Sequence, residues 1–93
     1  MRVARRFVVR GRVQGVGFRY FTREVALSEG VTGWVRNLPN GQVEALVEGD
    51  AEAVTRMERA LRSGPPGARV DSVYVDSEEP TGAYATFSVM TER

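Results

Sequence analysis

Between Val13 and Phe18 the chain reads Gln14-Gly15-Val16-Gly17, and Arg19 follows one residue later. Two glycines in four positions let a backbone fold into a concavity lined by its own amides, without Cβ clashes. The next segment has helical periodicity, so these amides lie at a helix N-terminus, and no Ser, Thr, Asp or Asn stands there to cap them. An anion is a natural occupant, although a glycine is itself an acceptable N-cap and water can satisfy the rest. Arg19, in the first helical turn, can grip two oxyanion oxygens in parallel and never loses its charge. An arginine there is also commonly a solvated surface residue, set unfavourably against the helix dipole. Asn37 is one of two asparagines. Asn40 has a turn-forming role before Gly41, whereas Asn37 lies just outside the turn, where its carboxamide either serves a site or closes the hairpin through an Asx-type bond. Tyr20 and Trp34 read as packing residues and Arg23 as a solvated one.

The loop lacks the Gly-Lys-Ser/Thr of a Walker A sequence, and Gly11, Gly15 and Gly17 have the wrong intervals for a dinucleotide fingerprint. The absence of Cys and His removes disulfides, thiolate and imidazole metal ligands, and every mechanism that needs a thiolate or imidazole. Asp50, Asp71, Asp76 and the nine Glu are scattered without calcium-loop spacing, so neither metal nor cofactor is expected. All thirteen basic residues are Arg, opposed by twelve acids for a net charge of +1. That balance produces no global field for nucleic acid or acidic membranes. No window approaches the ~18 apolar residues of a spanning helix, and Met1 to Arg6 leads into strand-like sequence instead of a signal-peptide apolar region. A cytoplasmic protein is expected, and 93 residues suit one domain spanning 1–93.

The loop and Asn37 can act together only if the intervening elements bring them to one place. Phe7, Val9, Gly11 and Val13 alternate with Arg6, Arg10 and Arg12, which predicts a half-buried strand. Phe18, Phe21, Thr22, Val25 and Ala26 recur at helical spacing up to Gly30, a natural C-cap. In its last turn Leu27 falls off this stripe and Glu29 on it. Strands are predicted over 31–37 and 43–48, joined by a Leu38-Pro39-Asn40-Gly41 turn. Asp50 is positioned to cap a second helix carrying Val54, Met57, Ala60 and Leu61, which stops at Ser63-Gly64-Pro65-Pro66-Gly67. Val70, Val73 and Val75 mark a fourth strand and Tyr84 to Met90 a last one. The order β-α-β-β-α-β plus a short extra strand is that of an α+β, ferredoxin-like split βαβ sandwich. Its mostly antiparallel sheet would be covered by two helices on one face. The first helix then carries the chain back by about 18 Å and the second strand forward by about 20 Å. Residues 14–19 and residue 37 should therefore meet at one rim.

Gly11-Arg12-Val13-Gln14-Gly15-Val16-Gly17-Phe18-Arg19 resembles the first acylphosphatase signature. Gly33-Trp34-Val35-Arg36-Asn37-Leu38-Pro39-Asn40-Gly41-Gln42-Val43, followed by Gly49, resembles the second. The resemblance covers nearly the whole chain, including the Gly-Pro-Pro-Gly-Ala-Arg-Val approach to the fourth strand. It implies a monomeric hydrolase that cleaves acyl phosphates to a carboxylate and inorganic phosphate. It further implies phosphate held by Gln14, Gly15, Val16, Gly17, Phe18 and Arg19, with Arg19 and Asn37 catalytic and Asn37 orienting the attacking water. The departure is Leu27/Glu29, where relatives usually end the helix on an apolar residue.

Chemistry makes so sparse a site sufficient. An acyl phosphate expels a carboxylate whose conjugate acid has a pKa near ~4, so its departure needs no general acid. What remains is to hold the phosphoryl group, place water in line and neutralise charge on the equatorial oxygens. No covalent intermediate or metal is required. Two other readings suit the same fold. A non-catalytic anion- or RNA-binding module is one, but Gln42-Val43-Glu44-Ala45-Leu46-Val47 supplies no aromatic ring on which a base could stack. The other is a free-standing relative of the acylphosphatase-like domains of carbamoyl-transfer enzymes, acting on carbamoyl phosphate.

Overall fold

Alternating apolar residues become strands and the two 3.6-period stripes become helices in the computed structural model, which describes residues 1–91. In chain order these are β1 (Arg2–Arg12), α1 (Phe18–Glu29), β2 (Thr32–Asn37), β3 (Val43–Asp50), α2 (Ala51–Ser63), β4 (Arg69–Glu78) and β5 (Phe87–Met90). The sheet order is β4-β1-β3-β2-β5, antiparallel throughout except for the parallel β2-β5 pair. This is the expected ferredoxin-like sandwich, with the extra strand added beside β2.

Phe7 and Val9 of β1, Val35 of β2, and Val43, Ala45 and Val47 of β3 turn to the same side. They close a single core with Phe18 and Ala26 of α1 and with Val54, Met57 and Leu61 of α2. The last turn of α1 forms although Leu27 and Glu29 break its apolar stripe. Leu27 projects into solvent, and Glu29 accepts a 2.7 Å hydrogen bond from Arg56 Nε of α2. A charged pair thus ties the helices together where an apolar contact would otherwise do so.

Two expectations are corrected here. Asp50 precedes α2 but makes no side-chain cap hydrogen bond. The β1-β3 register pairs Arg2 with Asp50, which brings the Met1 amine to 3.3 Å from Asp50 Oδ1, and the Ala51 amide donates to the Met1 carbonyl. The chain's amino end therefore competes successfully for the capping carboxylate. The last strand begins at Phe87 and not at Tyr84. The segment before it is drawn to Glu48, a carboxylate on the sheet face away from the helices that is only 1 % exposed. Thr81 donates from its amide (3.2 Å) and hydroxyl (3.0 Å), and the Gly82 amide donates at 3.0 Å.

Burial alone pushes the Glu48 carboxyl up, but these hydrogen bonds and the nearby Arg2 together outweigh it and hold the group below its ordinary range. Because the folded pKa is depressed, the stabilisation is fully present above the unfolded pKa of about 4.3 and is lost as pH falls through the lower folded value. Glu48→Gln keeps the shape but faces amide donors with a neutral group, so it should cost about 1.5–3 kcal/mol at neutral pH. The penalty should shrink on acidification below pH ~4. Urea titrations of both proteins from pH 7 to 3 would check this; parallel stability curves over that range would refute the assignment.

Candidate functional site

β1 ends and its last inward residue, Val13, is buried. The chain then bends sharply. Gly15 (φ 75°) and Gly17 (φ 77°) both take the left-handed conformation, and no non-glycine residue of the described chain has a positive φ. Such turns are inexpensive only where Cβ is missing. Gly17 is the N-cap of α1, and no side chain caps the helix. The ends of the bend are anchored in the core: Phe18 is buried and Val16 packs against the same cluster. These two can offer the loop only their backbone. Thr22 Oγ1 donates to the Phe18 carbonyl (2.8 Å), fixing the first helical turn from within.

Arg19 is half-buried, and its Nη1 donates to the Met90 carbonyl at the end of β5 (3.2 Å). Asn37, the last residue of β2, is also half-buried, and its carboxamide makes no hydrogen bond among the described residues. The Asx geometry belongs to Asn40 instead, whose Oδ1 accepts from the Gln42 amide (3.0 Å) and whose Nδ2 donates to Gln42 Oε1 (2.9 Å). The turn thus leaves Asn37 uncommitted.

Gln14, Gly15, Gly17, Phe18, Arg19 and Asn37 come together, with Val13 and Tyr20, around a cavity of about 110 Å³. Of the expected site residues only Val16 is absent from the lining, because its side chain is turned into the core. Among the described residues the lining contains no carboxylate. A guanidinium, a helix N-terminus and the amides of a loop bent at two left-handed glycines therefore set its potential, and all favour an anion. Among the described residues no three acidic side chains are grouped so as to hold a metal ion. A broader groove of about 540 Å³ on the opposite sheet face is lined by Arg6, Val8, Arg10, Gln42 and Tyr74 among others. Its Arg6 is already paired with Glu44, Asp76 and Glu78, and it has no bent amide loop.

Tyr20 was expected to pack, but it is 55 % exposed and borders the cavity. It follows Arg19 and lies off the Phe18, Thr22, Ala26 stripe, which is the sequence signal that places it outside the core. The guanidinium carbons of Arg19 and Arg23 stand 5.9 and 5.8 Å from its ring centroid. Arg23 is accordingly not free in solvent: it is half-buried, with Nε enclosed and unbonded among the described residues. Trp34 is half-buried, with the Arg36 guanidinium 5.1 Å from its ring.

A profile of the acylphosphatase family matches residues 5–89. An acylphosphatase of Anaeromyxobacter dehalogenans is 50 % identical over 88 residues, covering 95 % of either chain. One of Trichormus variabilis is 57 % identical over 74 residues, covering 80 % of this chain and 73 % of that one. The crystal structure of an acylphosphatase from Bacillus subtilis superposes with a TM-score of 0.91 at 36 % identity, over 95 % of this chain and 98 % of that one.

Proposed function

We propose a division of labour for this chain, which belongs to the acylphosphatase family and hydrolyses acyl phosphates to a carboxylate and inorganic phosphate. The amides of Gln14 to Phe18 and the Arg19 guanidinium hold the phosphoryl oxygens, and the Asn37 carboxamide directs water in line with the departing carboxylate. One observation carries this reading: the bent loop, Arg19 and the uncommitted Asn37, remote in sequence, border one small cavity to which no carboxylate among the described residues contributes. Amides and guanidinium stabilise charge that grows on the equatorial oxygens, and they are already oriented before the reaction begins. Arg19 is held by the Met90 carbonyl, so its fork loses little freedom on binding. The leaving carboxylate needs no proton, which suits a chain with no imidazole and a site with no acid among the described residues.

The proposed enzyme needs no metal or cofactor and acts as a cytoplasmic monomer on a small acyl phosphate, without nucleic-acid or membrane partners. The net charge of +1 supports the last point, as does the absence, among the described residues, of a helix long and apolar enough to cross a membrane. Benzoyl phosphate hydrolysis followed spectrophotometrically should proceed at an unchanged rate with EDTA present, and inorganic phosphate should inhibit competitively. Activity lost to the chelator and restored by Mg²⁺ would overturn the metal-free mechanism. Noncompetitive inhibition would overturn the placement of phosphate in the loop.

A further inference from the structure

The Gln14 side chain is committed elsewhere than to an anion. Its Nε2 donates to the carbonyl oxygen of Leu38 at 2.8 Å and to that of Gln42 at 2.9 Å, so both amide hydrogens are consumed. The same two carbonyls close the β2-β3 hairpin: Leu38 O accepts from the Gly41 amide and Gln42 O from the Leu38 amide. Leu38 directly follows Asn37. One half-buried side chain therefore joins the bent loop to the turn that directly follows Asn37, across 24 and 28 residues of sequence.

We infer that Gln14 is a positioning residue, whose side chain sets the distance and angle between the phosphate-holding loop and Asn37; this rests on the roles proposed above. Two carbonyls facing one atom demand a group with two hydrogens and no charge to desolvate. A carboxamide on a two-methylene stem supplies it, while Asn is one methylene shorter. The Gln14 backbone amide stays with the loop, so the residue has two separable parts. The loop keeps its shape from Gly15, Gly17 and the buried Phe18, and so loss of the side chain leaves phosphate binding nearly intact. It misplaces the Asn37 carboxamide, an error felt when water attacks.

The test is a double-mutant cycle of Gln14→Ala and Asn37→Ala with benzoyl phosphate, read as kcat and as the inhibition constant of inorganic phosphate. Gln14→Ala should lower kcat about 10- to 100-fold, with less than about a 3-fold change in phosphate inhibition. In the Asn37→Ala background the same change should cost less than about 3-fold, because the residue through which Gln14 acts is already gone. Equal losses in both backgrounds, or phosphate binding weakened as much as turnover, would overturn the inference. Should the Ala variant fail to fold, the near-isosteric Gln14→Met, which keeps the length of the side chain and has neither donor nor charge, carries the same cycle. The Asn37 side-chain amide resonances in the free protein should also shift in either Gln14 variant; unchanged resonances would overturn the tether. If Asn37→Ala alone keeps full kcat, the role given to Asn37 has failed, and these resonances, which report placement without turnover, decide the tether.

Discussion

Arg19→Ala should lower kcat/KM by at least ~10³, the largest single effect expected in this protein. Among the described residues Arg19 is the one arginine lining the cavity, and no carboxylate there offsets it. Its loss removes charge and directed donors at once, from the bound phosphoryl group and more so from the transition state, where the equatorial oxygens carry more charge. Arg19→Lys should recover only part of the activity, because an ammonium restores charge without the parallel fork. It would also have to reach both the Met90 carbonyl and the phosphoryl oxygens from one point. Steady-state kinetics of the two variants, with Arg59→Ala on the exposed face of α2 as a control, decide the matter. Full activity in the Lys variant would show that fork geometry is the wrong explanation.

Asn37→Ala should reduce kcat by ~10² or more while the inhibition constant of phosphate moves only slightly. An interaction made with the attacking water is lost from the transition state and scarcely felt by a ligand that brings no nucleophile. Stability should hardly change, since the carboxamide bonds to nothing among the described residues and the hairpin is closed by Asn40 and by main-chain bonds. If phosphate binding weakens as much as turnover slows, Asn37 is a phosphate ligand and does not direct water. Kinetics and phosphate inhibition measured on the same preparation separate the two outcomes.

The elements were legible because burial on one sheet face writes itself into sequence: Phe7, Val9 and Val13 alternate with arginines, and Val54, Met57 and Leu61 recur at helical spacing. The loop was legible for a different reason, since paired glycines before an uncapped helix advertise a backbone that other residues cannot adopt. What escaped notice depends on contacts between distant segments. The partners of the Gln14 carboxamide follow from where the hairpin carbonyls lie, which local pattern does not encode. The same holds for Asp50, whose capping role passes to the Met1 amine once β1 and β3 pair, and for the late start of β5, fixed by Glu48. For Tyr20 residue type points to packing, whereas its helical phase, off the buried Phe18, Thr22 and Ala26 stripe, points to the exposed position it occupies.

The hydrogen bonds that frame the cavity join residues 24, 28 and 71 positions apart. None lies within a single helix or hairpin, and each closure must meet its entropic cost through the sheet pairings that accompany it. The active arrangement therefore has no local precursor. A partly folded chain that already holds α1 or the β2-β3 hairpin still lacks the convergence of loop, hairpin and last strand. Turnover in this protein should thus appear late in folding and nearly all at once, as a reporter of completed topology.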